Sequence, residues 1–401
     1  REEPARGTAR PRDLALPVAE AMEALAPFGR GNPQPSLAVP GARLDGWAGV
    51  GSGEHLRMRL RAGGAHARAI AFRWGRRKDE LSSDHRYDAV VRLGVDRWQD
   101  TIGPRVELER LDPLGQAAPE ESPRATAEPG VRDLLDRGWR EPEPPEPRAV
   151  PLSVQDRRGL GAALPTVVAL AGADRGVVAV VADTRRRSVA LDGVLAPERL
   201  GAEGVLVSGP GDGEPLGAAA RRGAVLGLVS YVALEEVEIP EGVHVVVLDP
   251  PAEARQAAWL RYRAADRHLH VVYGPEEVAF ALSVAETELD LRPSAVAVWR
   301  ALAAQGGRLP LDADGEGALL AAVAPASSMT AALALRALEE IGHVELGGAE
   351  LRAVHGVASG LDDSAIARRG RERLEAARRF LETAPTLDLG GRADALQAVG
   401  S

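Results

Sequence analysis

The stretch Glu141-Pro142-Glu143-Pro144-Pro145-Glu146-Pro147 most limits what this chain can fold into. Four prolines in seven residues remove backbone donors and lock φ, so neither a helix nor a central strand can pass through it. The interleaved glutamates keep it extended and solvated. Together with the Pro-, Glu- and Gly-rich residues around it, this defines a linker over 113–151, in which Val131 to Leu135 forms a short helical piece able to dock. The hydrophobic pattern differs on the two sides of this linker, so the chain reads as several domains.

Before the linker the pattern is mainly of period two. Pro17 suits the first turn of a helix, with Val18, Met22 and Leu25 on one face and Pro27 ending it. The run Pro27 to Pro35 carries two glycines and three prolines, a rigid connection rather than regular structure. From 36 to 112, Leu56, Met58 and Leu60 alternate with Arg57, Arg59 and Arg61, and Tyr87, Ala89, Val91, Leu93 and Val95 repeat the alternation. Ala67 to Phe72 and the segment bearing Val106 and Leu108 supply further strands. Several short strands with turns between them predict a small β-barrel or sandwich.

After the linker, apolar runs at Val177 to Ala182, Val205 to Val207, Val225 to Val229, His244 to Leu248 and Leu269 to Tyr273 alternate with helical stretches. This predicts an α/β domain with a parallel sheet over 152–288. Residues 289–401 are mostly helical. Val296, Trp299 and Ala303 share one helix face, Leu335, Leu338 and Ile341 another. A hairpin with Gly347-Gly348 at its tip follows, and a last helix runs from about Asp363 to Leu381. Helices followed by a small hairpin predict a winged-helix-like region.

Composition excludes several kinds of chemistry. The 401 residues contain no cysteine, which rules out disulfides, thiolate metal sites and a cysteine nucleophile. Lys78 is the sole lysine and lies in the β region, so the α/β domain has no phosphate-binding Gly-x-x-x-x-Gly-Lys loop. Ser208 to Gly213 is glycine-rich without the dinucleotide fingerprint, and Asp249, at the end of a buried strand, reads as a strand-end cap. There is no Gly-x-Ser-x-Gly elbow. Of the eight histidines, His268 and His270 fall on one side of a strand, a spacing that suits a metal but more often serves structure. No apolar run approaches the 18 residues of a membrane span, so no membrane partner is expected, and the lack of cysteine suits a cytoplasmic location. The chain does not begin with Met, and we read it as part of a longer protein.

Charge supplies the positive signal. The net charge is −9, so any contact with a polyanion must come from a local patch. From Arg57 to Lys78 there are eight basic residues and no acid: Arg57, Arg59, Arg61, Arg68, Arg73, Arg76, Arg77 and Lys78. Strand alternation sets Arg57, Arg59 and Arg61 opposite the core, with Trp74 among the basic residues and Trp98 in a later hairpin. Arginines with interleaved aromatics can track a phosphate backbone and stack bases; a merely solvated face is the competing reading. In the helical region, the helix near Thr330 to Ile341 exposes Arg336 but also Glu339 and Glu340, which favours a structural or protein-contact role over DNA reading.

The segment Leu25-Ala26-Pro27-Phe28-Gly29-Arg30-Gly31-Asn32-Pro33-Gln34-Pro35 resembles the Pro-Phe-Gly-x-Gly-Asn-Pro-x-Pro motif of the RecJ single-strand DNA exonucleases at every fixed position. The resemblance covers about residues 14–112. It implies that 1–35 is the end of a DHHA1-type domain with its connector and that 36–112 is an OB-fold. It further implies that the chain is the C-terminal, single-stranded-DNA-binding portion of a 5′→3′ exonuclease of DNA repair and recombination. The family's catalysis needs an Asp-His-His domain holding divalent metal, Mg or Mn, and a Gly-Gly-His motif. Neither occurs here, so no catalytic residue or cofactor is assigned to this chain, and alone it is not expected to cut DNA. The resemblance points to Arg57, Arg59, Arg61, Arg73, Trp74, Arg76 and Arg77 as the nucleic-acid-binding set. It gives Phe28, Gly29, Gly31, Asn32 and Pro33 a structural role. Two alternatives stay open: a module docking a repair partner, such as a helicase or single-strand-binding protein, through the α/β and helical regions, and a separate ligand site near Gly209 or Asp249.

Overall fold

The structure, a computed structural model, describes residues 7–9, 11–29, 31–62, 65–98, 101–116, 124–125, 129–137, 145, 152–159, 163–171, 176–191, 203–209, 214–347 and 350–390. Two compact units emerge: residues 1–124 with 185–204, and residues 125–184 with 205–401.

The first unit is a closed five-stranded barrel. Its strands are β1 (Ser36–Val50), β2 (His55–Ala62), β3 (Ala65–Ala71), β4 (His85–Trp98) and β5 (Thr101–Gln116). They run in the order β1-β2-β3-β5-β4, and β4 pairs back onto β1. All pairs are antiparallel except β3 with β5. Closure depends on β1 serving two neighbours. Ser36 to Arg43 pair with β4, Arg43 to Val50 pair with β2, and the register shifts between Val39 and Ala42 and again between Leu44 and Trp47. Gly41 and Gly46 sit at those shifts with φ of 59° and 82°. Glycine adopts this left-handed backbone at little steric cost, so the strand can bend from one partner to the next.

The barrel core follows from the period-two pattern. Leu56, Met58 and Leu60 of β2, and Tyr87, Ala89, Val91, Leu93 and Val95 of β4, are all buried together with Val106 and Leu108. Helix α1 (Leu16–Glu23) packs on β4, but its buried residues are Ala19 and Met22. Val18 is 38 % and Leu25 56 % exposed, so the apolar face is rotated from the expected one. The helix ends at Glu23, before Leu25 can complete a third turn. Strand β5 continues to Gln116, past the expected boundary at 112.

The second unit begins with α2 (Val131–Arg137) and continues as an α/β domain. Its strands are β6 (Ser153–Asp156), β7 (Gly176–Val181), β8 (Glu203–Val207), β9 (Val225–Ser230), β10 (His244–Val247) and β11 (His268–Val271), ordered β8-β9-β7-β10-β11-β6. Its helices are α3 (Ala163–Ala171), α5 (Glu214–Arg222) and α6 (Ala254–Arg263), while α4 (Thr184–Leu191) lies, apart from Thr184, in the stretch 185–204 grouped with the first unit. The registers of β9 on β7, β7 on β10, β10 on β11 and β11 on β6 are parallel. Every residue of β7 and β9 is buried, as both-face coverage requires. The edge strand β6 has no apolar run and was not legible in sequence. Nearby, the Arg158 guanidinium donates to the carbonyls of Ala384 and Leu387 at 2.8 and 3.0 Å, tying the chain's last described turn to this sheet.

The helical region comprises α7 (Pro275–Leu289), α8 (Leu291–Ala304), β12 (Arg308–Pro310), α9 (Ala313–Val323), α10 (Ser328–Glu340), β13 (Val344–Gly347), β14 (Glu350–Ala353) and α11 (Ala365–Glu382). The small antiparallel sheet has the order β12-β14-β13. The hairpin exists where expected, and its tip at Gly348 lies outside the described residues. On α8 the buried face is Leu291, Ala295, Val298 and Leu302. Val296 is 43 % exposed, and Trp299 sits half-buried, edge-on to His343 and His355. In so alanine-rich a helix two neighbouring stripes are nearly equally apolar, and packing chose the one with Val298 and Leu302.

Helix α10 is covered on most sides, with Leu335 and Leu338 in the core. The short helix α2 lies against it and buries Val131 and Leu135 in the same core. Glu316 Oε1 accepts the Arg132 N–H at 3.1 Å, and Arg336 donates to the Leu135 carbonyl at 2.6 Å. Arg336, expected to point outward, is therefore occupied by α2 and by Glu339. Among the described residues, no single helix is long and apolar enough to cross a membrane.

Candidate nucleic-acid interface

The alternation of β2 decides where its charge goes. With Leu56, Met58 and Leu60 committed to the core, Arg57, Arg59 and Arg61 emerge on the outer face. Register then assembles a patch that no linear reading contains. Arg59 lies opposite Arg68, Arg61 opposite His66 on β3, and Arg61 opposite Arg43 on β1. Residues directly opposed across strands share a face, and like charges so placed repel. The barrel tolerates this because the side chains extend into water.

Partnering distinguishes this face from the rest of the barrel. On β4 and β5, arginines are matched with acids: Arg92 with Glu109 at 2.7 Å, Arg105 with Glu107 at 2.9 Å and Arg110 with Asp112 at 2.7 Å. Arg97 reaches Glu23 of α1 at 2.8 Å and holds that carboxyl below its ordinary range. On β2 and β3, by contrast, Arg57, Arg61 and Arg68 have no ion-pair partner among the described residues, nor do Arg73 and Arg76. Arg59 does, with Asp45 of β1 at 3.2 Å. Sequence reading missed this acid because it lies outside the Arg57–Lys78 window.

The turn after β3 rearranges the expected aromatics. Arg73 adopts a left-handed backbone, φ 64°, and its N–H donates to His55 Nδ1 at 3.0 Å. Simple alternation would put residues 72 and 74 on the same side. The left-handed residue between them reverses the chain, so Trp74 folds into the barrel core and is only 8 % exposed. The Arg77 guanidinium covers its ring at 4.0 Å and also pairs with Glu80 at 2.9 Å. Trp74 is thus a core residue, not an open stacking surface, and Arg77 is already engaged. Arg76 is exposed beside it. The exposed aromatic is Phe72 instead, 46 % accessible and edge-on to His55, with centroids 5.2 Å apart. A signal for it was present: Phe72 has the same parity as Arg68 on β3. The side chain of Trp98 lies outside the described residues.

The Pro-Phe-Gly motif forms a self-bonded turn. Gly29 and Asn32 exchange backbone hydrogen bonds at 2.8 and 3.1 Å, and Asn32 Nδ2 donates to the carbonyls of Leu25 and Pro27. Phe28 and Pro33 are half-buried, and Gln34 reaches the Leu93 carbonyl. Gly31, like Gly29, has open space where a Cβ would stand, so neither glycine is demanded by local crowding.

The remaining candidates lie in the second unit. Asp249 is fully buried, accepts the Ala182 N–H at 2.9 Å, and its carbonyl accepts the Tyr231 hydroxyl. That is a strand-end cap joining β7 and β10. Gly209 is described, whereas the rest of its glycine-rich loop, 210–213, lies outside. His244, His268 and His270 gather on β10 and β11, with His244 Nδ1 3.1 Å from His270 Nε2. Among the described residues, no group of three such side chains converges as a metal site.

Comparison with known proteins agrees with the barrel. Residues 7–110 match the family model of the RecJ OB domain, so over this segment the chain is RecJ-like. No curated protein matches the chain significantly. Among solved structures, those of RecJ from Thermus thermophilus in complex with Mn2+ and with Mg2+ are similar at 18 % identity and a TM-score of 0.24. Each match covers 67 % of this chain but only 27 % and 28 % of the respective RecJ chain, so this chain spans little more than a quarter of those proteins.

Proposed function

We propose that this chain is the single-stranded-DNA-binding portion of a RecJ-like 5′→3′ exonuclease of DNA repair and recombination, with the chemistry carried by a DHH domain outside it. The observation that carries this reading is the contrast in partnering: Arg92, Arg105 and Arg110 on β4 and β5 are neutralised by acids, whereas Arg57, Arg61 and Arg68 on β2 and β3 have no ion-pair partner among the described residues. Unpaired arginines on one face of a barrel keep their donors available for phosphate oxygens. Alternate arginines on β2 repeat about 6.7 Å apart, a ladder suited to an extended backbone. The divalent metal, Mg or Mn, belongs to that other domain; the described residues here offer no fitting ligand group.

The second unit supports a different role. Its order α8–β12–α9–α10–β13–β14 with the sheet β12-β14-β13 fits a winged-helix reading. The helix that would enter a DNA groove is α10, and it is already covered by α2. We assign this unit to docking a protein partner, a repair helicase or a single-strand-binding protein, rather than to reading DNA.

The test is anisotropy of a labelled single strand with the full chain at two salt concentrations, set against a variant with Arg57, Arg59 and Arg61 changed to Ala. Affinity should fall with salt at about −0.7 in log–log slope per phosphate contacted. The variant should bind at least tenfold more weakly, with a shallower slope. Equal affinity and slope in both proteins would make this face a solvated surface and leave the protein-docking reading in its place.

A further inference from the structure

We infer that Phe72, held by His55, is a base-stacking subsite that gives the basic face its preference for unpaired bases. This rests on the reading of that face as a single-strand surface. Three observations carry it. Phe72 is one of the few large apolar side chains left open to solvent on the barrel, 46 % exposed. Its position places it on the outer side of β3, in line with Arg68, at the end of the β2–β3 pair where the next residue outward on β2 is Arg57. Its ring is oriented rather than free: His55 meets it edge-on at an interplanar angle of 74°.

The support beneath the pair is rigid. His55 Nδ1 accepts the Arg73 N–H, which fixes the imidazole plane. Arg73 takes the left-handed conformation that lets Phe72 stay outside while Trp74 goes in. The following Gly75 donates to the Glu54 carbonyl at 2.9 Å, locking this turn to the one between β1 and β2. A fixed, half-exposed ring next to unpaired guanidiniums is what a single strand needs: phosphates on the arginines and a base face on the aromatic. In a duplex the bases are stacked inside, and Phe72 has nothing to receive.

The experiment compares two labelled probes of equal length, an oligothymidylate strand and an all-abasic strand, binding the full chain, its Phe72→Ala variant and its Phe72→Trp variant. The wild type should hold the thymidylate strand about tenfold more tightly than the abasic one. Phe72→Ala should lose that tenfold while keeping the salt slope, because the phosphate contacts are untouched. Phe72→Trp should retain it. Circular dichroism checks that each variant is folded, and an exposed position makes that the expected result. If Phe72→Ala discriminates the two probes as well as the wild type does, or the wild type does not discriminate at all, the stacking assignment is overturned while the basic face stands. If neither probe binds the wild type, the single-strand reading itself fails and this inference with it.

Discussion

Replacing Gly75 by alanine should destabilise the β-barrel by about 3 kcal/mol, the upper range for forced overpacking. A Cβ at this position would lie 1.8 Å from the Gly53 carbonyl oxygen and 2.9 Å from its carbon. Both are backbone atoms, so no rotamer change relieves the clash. Nor can residue 75 retreat, because its N–H bonds the Glu54 carbonyl at 2.9 Å. The conformation itself is open to alanine, since Gly75 is not among the residues of positive φ. The effect is therefore one of contact alone. Gly103→Ala is the control, since nothing lies within 4 Å of its Cβ position, and a change of about 0.5 kcal/mol or less is expected there. Hydrogen exchange of the β2 and β3 amides in the full chain reads both. Equal protection in the two variants would mean that the turns carrying Gly53 and Gly75 do not meet. Because Gly75 sits beside Phe72 and Arg73, its variant should also weaken single-strand binding, whereas Gly103→Ala should not.

Acidification should weaken the α/β domain through its histidines, by about 3 kcal/mol between pH 7 and pH 4. His270 is 5 % exposed, and burial first, then His244, Arg157 and His268, lowers its pKa from 6.5 to about 4. His244 is lowered too, by burial and by His268. A base whose pKa is depressed by folding binds its proton more readily when unfolded. Its contribution is thus complete above pH 6.5 and is lost as pH falls towards 4. At about 1.4 kcal/mol per pH unit the fall from 6.5 to about 4 amounts to about 3.5 kcal/mol in full, of which about 3 kcal/mol is lost between pH 7 and pH 4. Burial is the main cause, and the 3.1 Å contact between His244 Nδ1 and His270 Nε2 adds to it, because charging both rings would set two positive charges side by side. Asp156, lowered chiefly by Arg158, and Glu340, lowered chiefly by Ser364, act in the same direction at lower pH. Glu235, raised to about 6 by burial, acts in the opposite one, favouring the fold as pH falls through that value. The measurement is consequently a difference: urea midpoints of wild type and His270→Gln at pH 7.5 and pH 4.5. The variant should lose less on acidification than the wild type. An identical loss in both would clear His270 of any part in it.

Much of the first unit was legible in the chain. Period two in Leu56–Met58–Leu60 determines which side of β2 is buried, because successive side chains must point oppositely. The outward course of Arg57, Arg59 and Arg61 follows from that alone. The Pro-Phe-Gly motif identified the domain, and the apolar runs of β7 and β9 announced a sheet covered on both faces. Where alternation is interrupted, the sequence was silent. One left-handed residue, Arg73, turned Trp74 into the core while Phe72 kept the outward parity of Arg68, and no periodicity encodes a single backbone flip. Helices poor in large side chains were ambiguous for another reason: on α8 the stripe with Val296 and the stripe with Val298 differ little in apolar content until neighbours choose between them.

By itself, then, the sequence determined the period, the sign of the charge and the absence of cysteine and phosphate-loop chemistry, because these are properties of single residues and their spacing. Only the tertiary structure decided the pairings: Asp45 beside Arg59, Arg68 opposite Arg59, His55 against Phe72, and α2 on Arg336. Each joins residues that chain distance does not relate. Register across strands and packing between helices set them, and those depend on the whole barrel or bundle closing at once.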